Sequence, residues 1–174
     1  ALPIFLESVY TGILIGRELT RTGENKKIVH DPRITLALED AAKEYEWELI
    51  EAMAGRSYMK KGIMEEDAVF AFENSGHFLY QNMYHADSSA MTIATALDAL
   101  MNGVDLVTYH DEMLEKYPIA GEVNFRVKDP KKIFNMLEKE FSDAEISKLD
   151  GISLRLEDWR MNVRKSNTEP VIRL

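Results

Sequence analysis

The segment DAVFAFENSGHFLYQ, residues 67–81, decides the fold of the first part of the chain. Residues 68–72 are apolar without interruption, and such a run predicts a strand that is buried on both faces, as in a parallel sheet. Residues 77–81 predict a further strand. The polar residues 73–77 lie between the two strands and include Gly76, which permits a tight turn. The segment therefore predicts two neighbouring strands joined by a polar loop.

Outward from this segment, strands and helices alternate. Further strands are predicted over residues 26–31 and 47–50. Helices are predicted over residues 4–21, 34–45, 58–64 with Ser57 as N-cap, a stretch capped by residues 87–89 that ends near 101, and 104–116. Such alternation indicates an α/β domain with a mixed, mostly parallel sheet, which we assign to residues 1–114.

Residues 115–174 show a different order of predicted helices and strands. A strand is predicted over residues 121–127, and Asp129 and Pro130 open a helix that reaches residue 141. Pro130 fits the first turn of a helix, where its missing N–H costs nothing. Two or three strands then follow as a group. This order predicts a small α+β domain in which a helix packs on an antiparallel sheet.

Composition excludes several classes of protein. The 174 residues are 45% hydrophobic and 29% charged, as in an ordinary soluble protein, and the net charge of −9 without a basic run argues against a nucleic-acid surface. The absence of cysteine excludes disulfides and thiol catalysis. The apolar runs are too short to span a bilayer, and no signal peptide is visible, so we expect a cytoplasmic protein without a membrane partner.

Two polar loops contain the candidate chemistry. The first, residues 73–77, offers Glu73 as an acceptor for two adjacent sugar hydroxyls, with Ser75 and His77 as further donors or acceptors. The second, RKSNTEP at residues 164–170, lies between two predicted strands. Its hydroxyls, backbone N–H groups and Arg164 suit a phosphate, because a guanidinium can bind two phosphate oxygens at once. The alternative for each loop is an ordinary hairpin turn.

The residue order of these loops resembles the α-D-phosphohexomutases, the phosphomannomutase/phosphoglucomutase group. Arg-x-Ser-Asn-Thr-Glu-Pro at 164–170 resembles the phosphate-binding loop of their last domain. Residues 73–76 are similar to the Gly-Glu-x-Ser-Gly sugar loop of their third domain, although Phe72 stands where many members have Gly. The matches occur in the family's order, so the sequence is identified as the C-terminal half of such an enzyme, its third and fourth domains.

Two shorter segments also resemble the family. Asp31-Pro32-Arg33 is similar to a stretch whose basic residue faces the active-site cleft. Gly55-Arg56-Ser57 resembles a Gly-His-Ser segment whose histidine reaches the sugar, but Arg56 replaces the imidazole here, so that acid/base role is not carried over. The resemblance therefore implies three groups of site residues. They are Arg33 and His77 near the transferring phosphoryl group, Glu73, Ser75 and Arg56 at the sugar, and Arg164, Ser166, Asn167 and Thr168 at the non-transferring phosphate.

The resemblance also implies a reaction. The enzymes are intramolecular phosphotransferases that interconvert hexose 1-phosphate and 6-phosphate, here of mannose or glucose, through a phosphoserine and a bisphosphorylated sugar. Magnesium and a hexose 1,6-bisphosphate activator are implied as well. The sequence contains neither a Ser-His-Asn-Pro segment nor an Asp-Gly-Asp-Gly-Asp-like loop. We therefore expect an N-terminal half to bind the magnesium, and we expect this chain alone to be inactive.

A further expectation concerns the surface against which the expected N-terminal half would pack. An exposed apolar patch is expected near residues 4–15, where that half would pack. The alternatives are a phosphoglucosamine mutase and a non-catalytic module or subunit that binds a phosphosugar.

Overall fold

The computed structural model describes residues 5–33, 36–166 and 169–174. The chain divides into two compact units, residues 1–119 and 120–174. The boundary expected at residue 114 falls inside a helix that continues to Lys116. Residues just beyond this helix stay with the first unit because Tyr117 donates a hydrogen bond to Asp40 at 2.7 Å and Ile119 packs against the core.

The first unit contains a five-stranded mixed sheet with the strand order β2-β1-β3-β4-β5. Strand β1 pairs in parallel with β2 and β3, whereas the pairs β3–β4 and β4–β5 are antiparallel. The strands are β1 (Lys27–His30), β2 (Glu48–Glu51), β3 (Phe70–Phe72), β4 (Phe78–Tyr80) and β5 (Ala86–Asp87). The mixed α/β architecture is confirmed, with parallel pairing confined to one half of the sheet.

Five α-helices accompany this sheet in the described residues. They are α1 (Ser8–Thr20), α2 (Leu36–Tyr45), α3 (Arg56–Glu66), α4 (Ser89–Met101) and α5 (Leu106–Lys116), with a short 3-10 helix at Gln81–Met83. The predicted cap of α4 is confirmed, since the Ser88 hydroxyl accepts the Met91 N–H. The predicted Ser57 cap is wrong. Helix α3 begins at Arg56, two residues before the predicted start. It is preceded by Gly55 at φ +135° and has no side-chain cap.

Helix α4 is tied to the sheet by a buried phenol. The Tyr80 hydroxyl lies 2.6 Å from the Thr92 hydroxyl. Burial raises the pKa of Tyr80 to about 12, so the phenol is protonated at neutral pH and keeps this bond.

The apolar patch expected near residues 4–15 is not found on α1. Its side chains from Val9 to Ile15 include five large apolar ones that are at most 4% exposed. They are covered because α1 packs against α2, α4 and β3. Within the expected range, Phe5 before α1 is 76% exposed, and further exposed apolar side chains lie on α4, where Ile93 is 62%, Leu97 54% and Met101 86% exposed.

None of the helices in the described ranges is by itself long and apolar enough to cross a membrane. Helices α4 and α5 meet that test only when they are counted together across a bend of 100°.

The second unit is an antiparallel sheet with one helix. Its strands are β6 (Asn124–Phe125), β7 (Glu145–Ser147), β8 (Ile152–Arg155), β9 (Arg160–Lys165) and β10 (Ile172–Arg173), in the order β6-β10-β9-β8-β7. Helix α6 (Pro130–Glu140) begins as expected, with Asp129 accepting the N–H groups of Lys131 and Lys132. Its Phe134 and Leu137 pack on a core formed by β8, β9 and β10. The α+β class is confirmed.

A glycine on α1 provides a test of the packing in the first unit. A Cβ at Gly12 would lie 2.7 Å from Cγ of Phe72 and closer still to the edge of its ring, and Phe72 is only 2% exposed. Overpacking a buried site costs about 1–3 kcal/mol, whereas replacing a helical glycine by alanine returns only about 1 kcal/mol. We expect Gly12→Ala to lower the thermal midpoint by several degrees in a calorimetric scan.

Gly23→Ala is the matched control for this substitution. A Cβ at Gly23 would meet its nearest atoms at 3.9 Å and 4.0 Å, which is ordinary contact. We expect this variant to unfold with the parent chain. An unchanged midpoint for Gly12→Ala would contradict the described packing of α1 on β3.

Candidate functional site

The loop between β3 and β4 is a tight hairpin turn. The Glu73 N–H donates to the His77 carbonyl, and the Gly76 N–H donates to the Glu73 carbonyl, both at 2.9 Å. Gly76 has φ +86°, a conformation that favours glycine. The predicted strand–loop–strand arrangement of residues 67–81 is thus confirmed.

Glu73 is the most deeply buried polar residue of this loop, at 3% exposure. Its Oε2 accepts the Gly55 N–H at 3.0 Å and the Ser75 hydroxyl at 3.4 Å. Its Oε1 is also buried and has no hydrogen-bond partner within residues 5–33, 36–166 and 169–174. One carboxylate oxygen therefore joins two loops, and the other is an unused acceptor.

Asp31, which the sequence analysis did not assign to the site, connects a third loop. It is 1% exposed and accepts hydrogen bonds from the Arg33 N–H at 2.7 Å, from Arg33 Nε at 3.1 Å and from the Asn74 N–H at 2.9 Å. The Arg33 Nη2 also lies 3.6 Å from Oε2 of Glu73. Arg33 is therefore held between two buried carboxylates, with 15% of its side chain exposed. The signal that the sequence offered for Asp31 was an acidic residue at the end of a predicted strand.

The mutually parallel strands β1, β2 and β3 all end at this cluster. Asp31 follows β1, Gly55 follows β2 by a few residues, and Glu73 follows β3 directly. In open α/β sheets, ligands bind outside the carboxyl ends of parallel strands. Arg56, the exposed first residue of α3, follows Gly55 at the same edge.

His77 lies at the far end of the hairpin and has a charged partner. Its Nδ1 is 2.6 Å from Oδ2 of Asp87, and 46% of its side chain is exposed. Asp87 was expected only as part of the cap of α4. Its contact with His77 depends on the pairing of β4 with β5, so local sequence gives no signal for it.

In the second unit, Arg164 lies on β9 rather than in the loop that follows. Its Nη1 is 3.9 Å from Oδ2 of Asp150, and its side chain is 15% exposed. Gly151 permits this approach, since a Cβ there would lie 2.7 Å from the Cα of Arg164. Arg173 lies directly across from Arg164 in the β9–β10 pair, so both guanidinium groups start from one face of the sheet. The sequence analysis missed Arg173.

Ser166, directly after β9, is 5% exposed and is hydrogen-bonded to Val171 and Glu169. Its N–H donates to the Val171 carbonyl at 2.9 Å, and its hydroxyl accepts the Glu169 N–H at 3.2 Å. Glu169 in turn lies 3.1 Å from Nη2 of Arg173. Asn167 and Thr168, the other predicted phosphate ligands, lie outside the described residues.

The implied magnesium ion was tested against the residues present. Within residues 5–33, 36–166 and 169–174, no group of three or more histidine, aspartate or glutamate side chains is placed to hold a metal. The described side chains therefore do not fit a magnesium ion.

Comparison with known proteins identifies the family. Residues 8–117 match the family model for the alpha/beta/alpha domain III of phosphoglucomutase/phosphomannomutase, and residues 122–174 match the model for the C-terminal domain. The chain belongs to the phosphoglucomutase/phosphomannomutase family.

Individual relatives agree with this assignment. A phosphomannomutase of Methanocaldococcus jannaschii is 34% identical over 161 residues, which cover 92% of this chain and 36% of the relative. A phosphomannomutase of Vibrio cholerae is 30% identical over 174 residues, covering 98% of this chain and 38% of the relative. The chain thus spans little more than a third of the length of these two relatives.

Solved structures support the fold. A phosphoglucomutase/phosphomannomutase family protein from Burkholderia thailandensis superposes with a TM-score of 0.78 at 24% identity, covering 97% of this chain and 36% of that one. The phosphoglucomutase pp63/parafusin from Paramecium, in its open form, superposes with a TM-score of 0.67 at 13% identity, covering 98% and 36%.

The connection that Asp31 makes between loops can be tested by stability. In Asp31→Asn, the buried carboxylate loses its charge while Arg33 stays beside it, and disrupting a buried charge pair costs about 3–5 kcal/mol. We expect a loss of about 2–4 kcal/mol in urea unfolding, because Glu73 still faces Arg33.

Asp98→Asn is the control, since Asp98 is 52% exposed and meets Arg21 only at 3.7 Å. Exposed pairs contribute about 0–1 kcal/mol. Equal stabilities for the two variants would show that the Asp31 contacts do not hold the loops together.

Proposed function

We propose that the chain is the C-terminal part of a phosphohexomutase that interconverts the 1-phosphate and the 6-phosphate of mannose or glucose. In this proposal it binds the sugar hydroxyls and the phosphate that is not being transferred. The observation that supports it most directly is Oε1 of Glu73, a buried acceptor at the carboxyl ends of three parallel strands that has no partner in the described part of the chain.

The sugar-binding role of Glu73 follows from the cost of an unused buried acceptor. An unsatisfied buried polar atom costs about 1–3 kcal/mol, and a ligand hydroxyl that donates to it removes that cost. Because Oε2 is already held by Gly55 and Ser75, the carboxylate is fixed before a ligand arrives. Ser75 and Arg56 are exposed on either side and are proposed to complete the sugar site.

The phosphate-binding role of Arg164 rests on a prepositioned guanidinium. Asp150 lies on one side at 3.9 Å, and Nε is buried and has no hydrogen-bond partner among the described residues. Charge-assisted hydrogen bonds from such a group are short and strong, and the planar fork matches two phosphate oxygens. The Ser166 hydroxyl accepts the Glu169 N–H at 3.2 Å, and Asn167 and Thr168, which lie outside the described residues, are proposed to donate to the same phosphate.

Phosphoryl transfer depends on positioning and on neutralising the charge of the phosphoryl oxygens. Arg33 is proposed to supply positive charge near the transferring group. His77 is proposed to accept the proton of the attacking sugar hydroxyl and to return one to the leaving oxygen. The phosphoserine that donates and regains the phosphoryl group, and the magnesium ion, are assigned to the preceding part of the enzyme.

A phosphorus NMR time course tests this function. The sample contains the chain, glucose 1-phosphate, magnesium and a trace of glucose 1,6-bisphosphate. We expect the 1-phosphate line to shift or broaden while no 6-phosphate forms. A line that stays unperturbed would remove the binding role. Accumulating 6-phosphate would mean that the phosphoryl donor lies within these 174 residues.

Arg164→Ala and Arg126→Ala form the matched pair for this experiment. Losing a hydrogen-bonded charge contact of about 1.5–3 kcal/mol should raise the apparent Kd for the 1-phosphate about 10- to 100-fold in Arg164→Ala. Arg126 is an exposed arginine of the same unit and should leave the Kd unchanged. A phosphoglucosamine mutase would instead bind the amino sugar phosphate more tightly in the same titration.

Glu73→Gln tests whether one carboxylate serves both orientations of the substrate. The amide keeps the shape but loses the charge, so we expect weaker binding of glucose 1-phosphate and glucose 6-phosphate by a similar factor of about tenfold. The measurement is a pair of NMR titrations, with Glu48→Gln on the exposed start of β2 as control. Weakening of only one phosphosugar would contradict the shared role.

A further inference from the structure

His77 and its neighbour Phe78 together engage both carboxylate oxygens of Asp87. Oδ2 of Asp87 lies 2.6 Å from Nδ1 of His77, and Oδ1 accepts the Phe78 N–H at 3.2 Å. The aspartate side chain is 26% exposed, while that of His77 is 46% exposed. The carboxylate is therefore clamped between the imidazole and the backbone of the residue that follows it.

We propose that Asp87 is a positioning residue that fixes the tautomer and the ring orientation of His77. In the neutral imidazole, Asp87 holds the proton on Nδ1, and Nε2 is left as the nitrogen that meets the ligand. The inference rests on the proposed function for one point only, namely that His77 contacts the substrate.

The tautomer follows from the chemistry of the two groups. An ionised carboxylate can only accept hydrogen bonds, so a neutral imidazole in contact with it must carry its proton on the nitrogen that faces it. The other nitrogen then has a free lone pair and can accept a proton. A histidine without such a partner distributes its proton between both nitrogens, and only part of the population could act as a base at Nε2.

The pairing of β4 and β5 produces the contact. Asp87 lies directly opposite Leu79 in the antiparallel register. His77 precedes Leu79 by two residues, and side chains two apart on an extended segment point to the same side. His77 and Asp87 are therefore diagonal neighbours across the pair, a separation that long side chains can bridge.

Backbone hydrogen bonds hold both residues in place. The His77 carbonyl accepts the Glu73 N–H at 2.9 Å, and the Ser88 N–H donates to the Phe78 carbonyl at 3.1 Å. Ser88 is at the same time the N-cap of α4. The hairpin that carries Glu73 and the start of α4 thus fix the backbone on either side of the His77–Asp87 contact.

Long-range nitrogen-15 NMR of the histidine rings tests the inference on the chain itself, without any activity assay. In the unsubstituted chain, we expect the neutral ring of His77 to favour the Nδ1–H tautomer by about tenfold or more, because a charge-assisted hydrogen bond selects it. In Asp87→Asn a single acceptor oxygen must serve both Phe78 and His77, so the Nε2–H tautomer should become a major species. Asp87→Glu should restore the parent tautomer at least in part.

Asp111→Asn is the matched control. Asp111 lies 2.8 Å from Nδ1 of His110 but is 71% exposed, so this variant alters a histidine–aspartate pair on α5 and leaves the hairpin residues unchanged. The His77 nitrogens should not change. Amide spectra of all variants establish that the fold is kept, and if Asp87→Asn fails to fold, Asp87→Glu and the parent tautomer carry the test.

Two outcomes separate this inference from the proposed function. If phosphosugars bind as expected but His77 is mainly Nε2–H in the parent chain, or is unaffected by Asp87→Asn, the positioning role is overturned and the function is not. If His77 has the expected tautomer and responds to Asp87→Asn, the inference is supported. A phosphosugar that then leaves its Nε2 signal unchanged would count against the proposed function alone.

Discussion

The arrangement of the first unit depends on Arg33 lying between two buried carboxylates, Asp31 and Glu73. Removing three charges from water is costly, and the cost is offset only when each charge has close partners with good geometry. Here Asp31 uses both oxygens, and Arg33 serves two acids. One carboxylate oxygen of Glu73 accepts no hydrogen bond from any residue that the structure describes. The cluster thus joins the loops after β1, β2 and β3 and leaves one acceptor at the point where they converge.

In the second unit, the like charges that lie close together are positive rather than negative. The chain carries a net charge of −9, so a phosphate site requires a local concentration of cations. Arg164 and Arg173 face each other across neighbouring strands, and like charges in such positions repel. Asp150 lies near Arg164, and Glu122 and Glu169 lie near Arg173. These acids keep the unliganded pair stable. A phosphate could balance the same charges more strongly, since it offers several oxygens to both arginines.

Much of the fold could be predicted from the sequence, because apolar periodicity and turn residues are local signals. The run at residues 68–72, the cap at Ser88 and the Asp129–Pro130 helix start were correct for that reason. The Ser57 cap failed because a neighbouring glycine already provided the bend. The exposed patch on α1 failed because α4, close by only in the folded chain, covers it. Local sequence patterns predict helices and strands, whereas the burial of a helix face depends on which elements pack against it in the folded chain.

The same distinction applies to the site. Glu73 lies in a loop and Arg164 on β9, and both belong to segments whose residue order has a chemical meaning by itself, so the sequence alone could nominate them as candidates. Asp31 and Asp87 act through other residues, and their value depends on strand pairing that no short segment encodes. Asp87 becomes a partner of His77 only because β5 adds to the antiparallel edge of a sheet that is otherwise built for parallel strands. The parallel half brings together the loops that are proposed to bind the sugar, and in our proposal the antiparallel half orients the imidazole of His77 through Asp87. The mixed sheet is therefore a functional requirement of the site as proposed, because a wholly parallel sheet would separate His77 from Glu73 by a crossover helix.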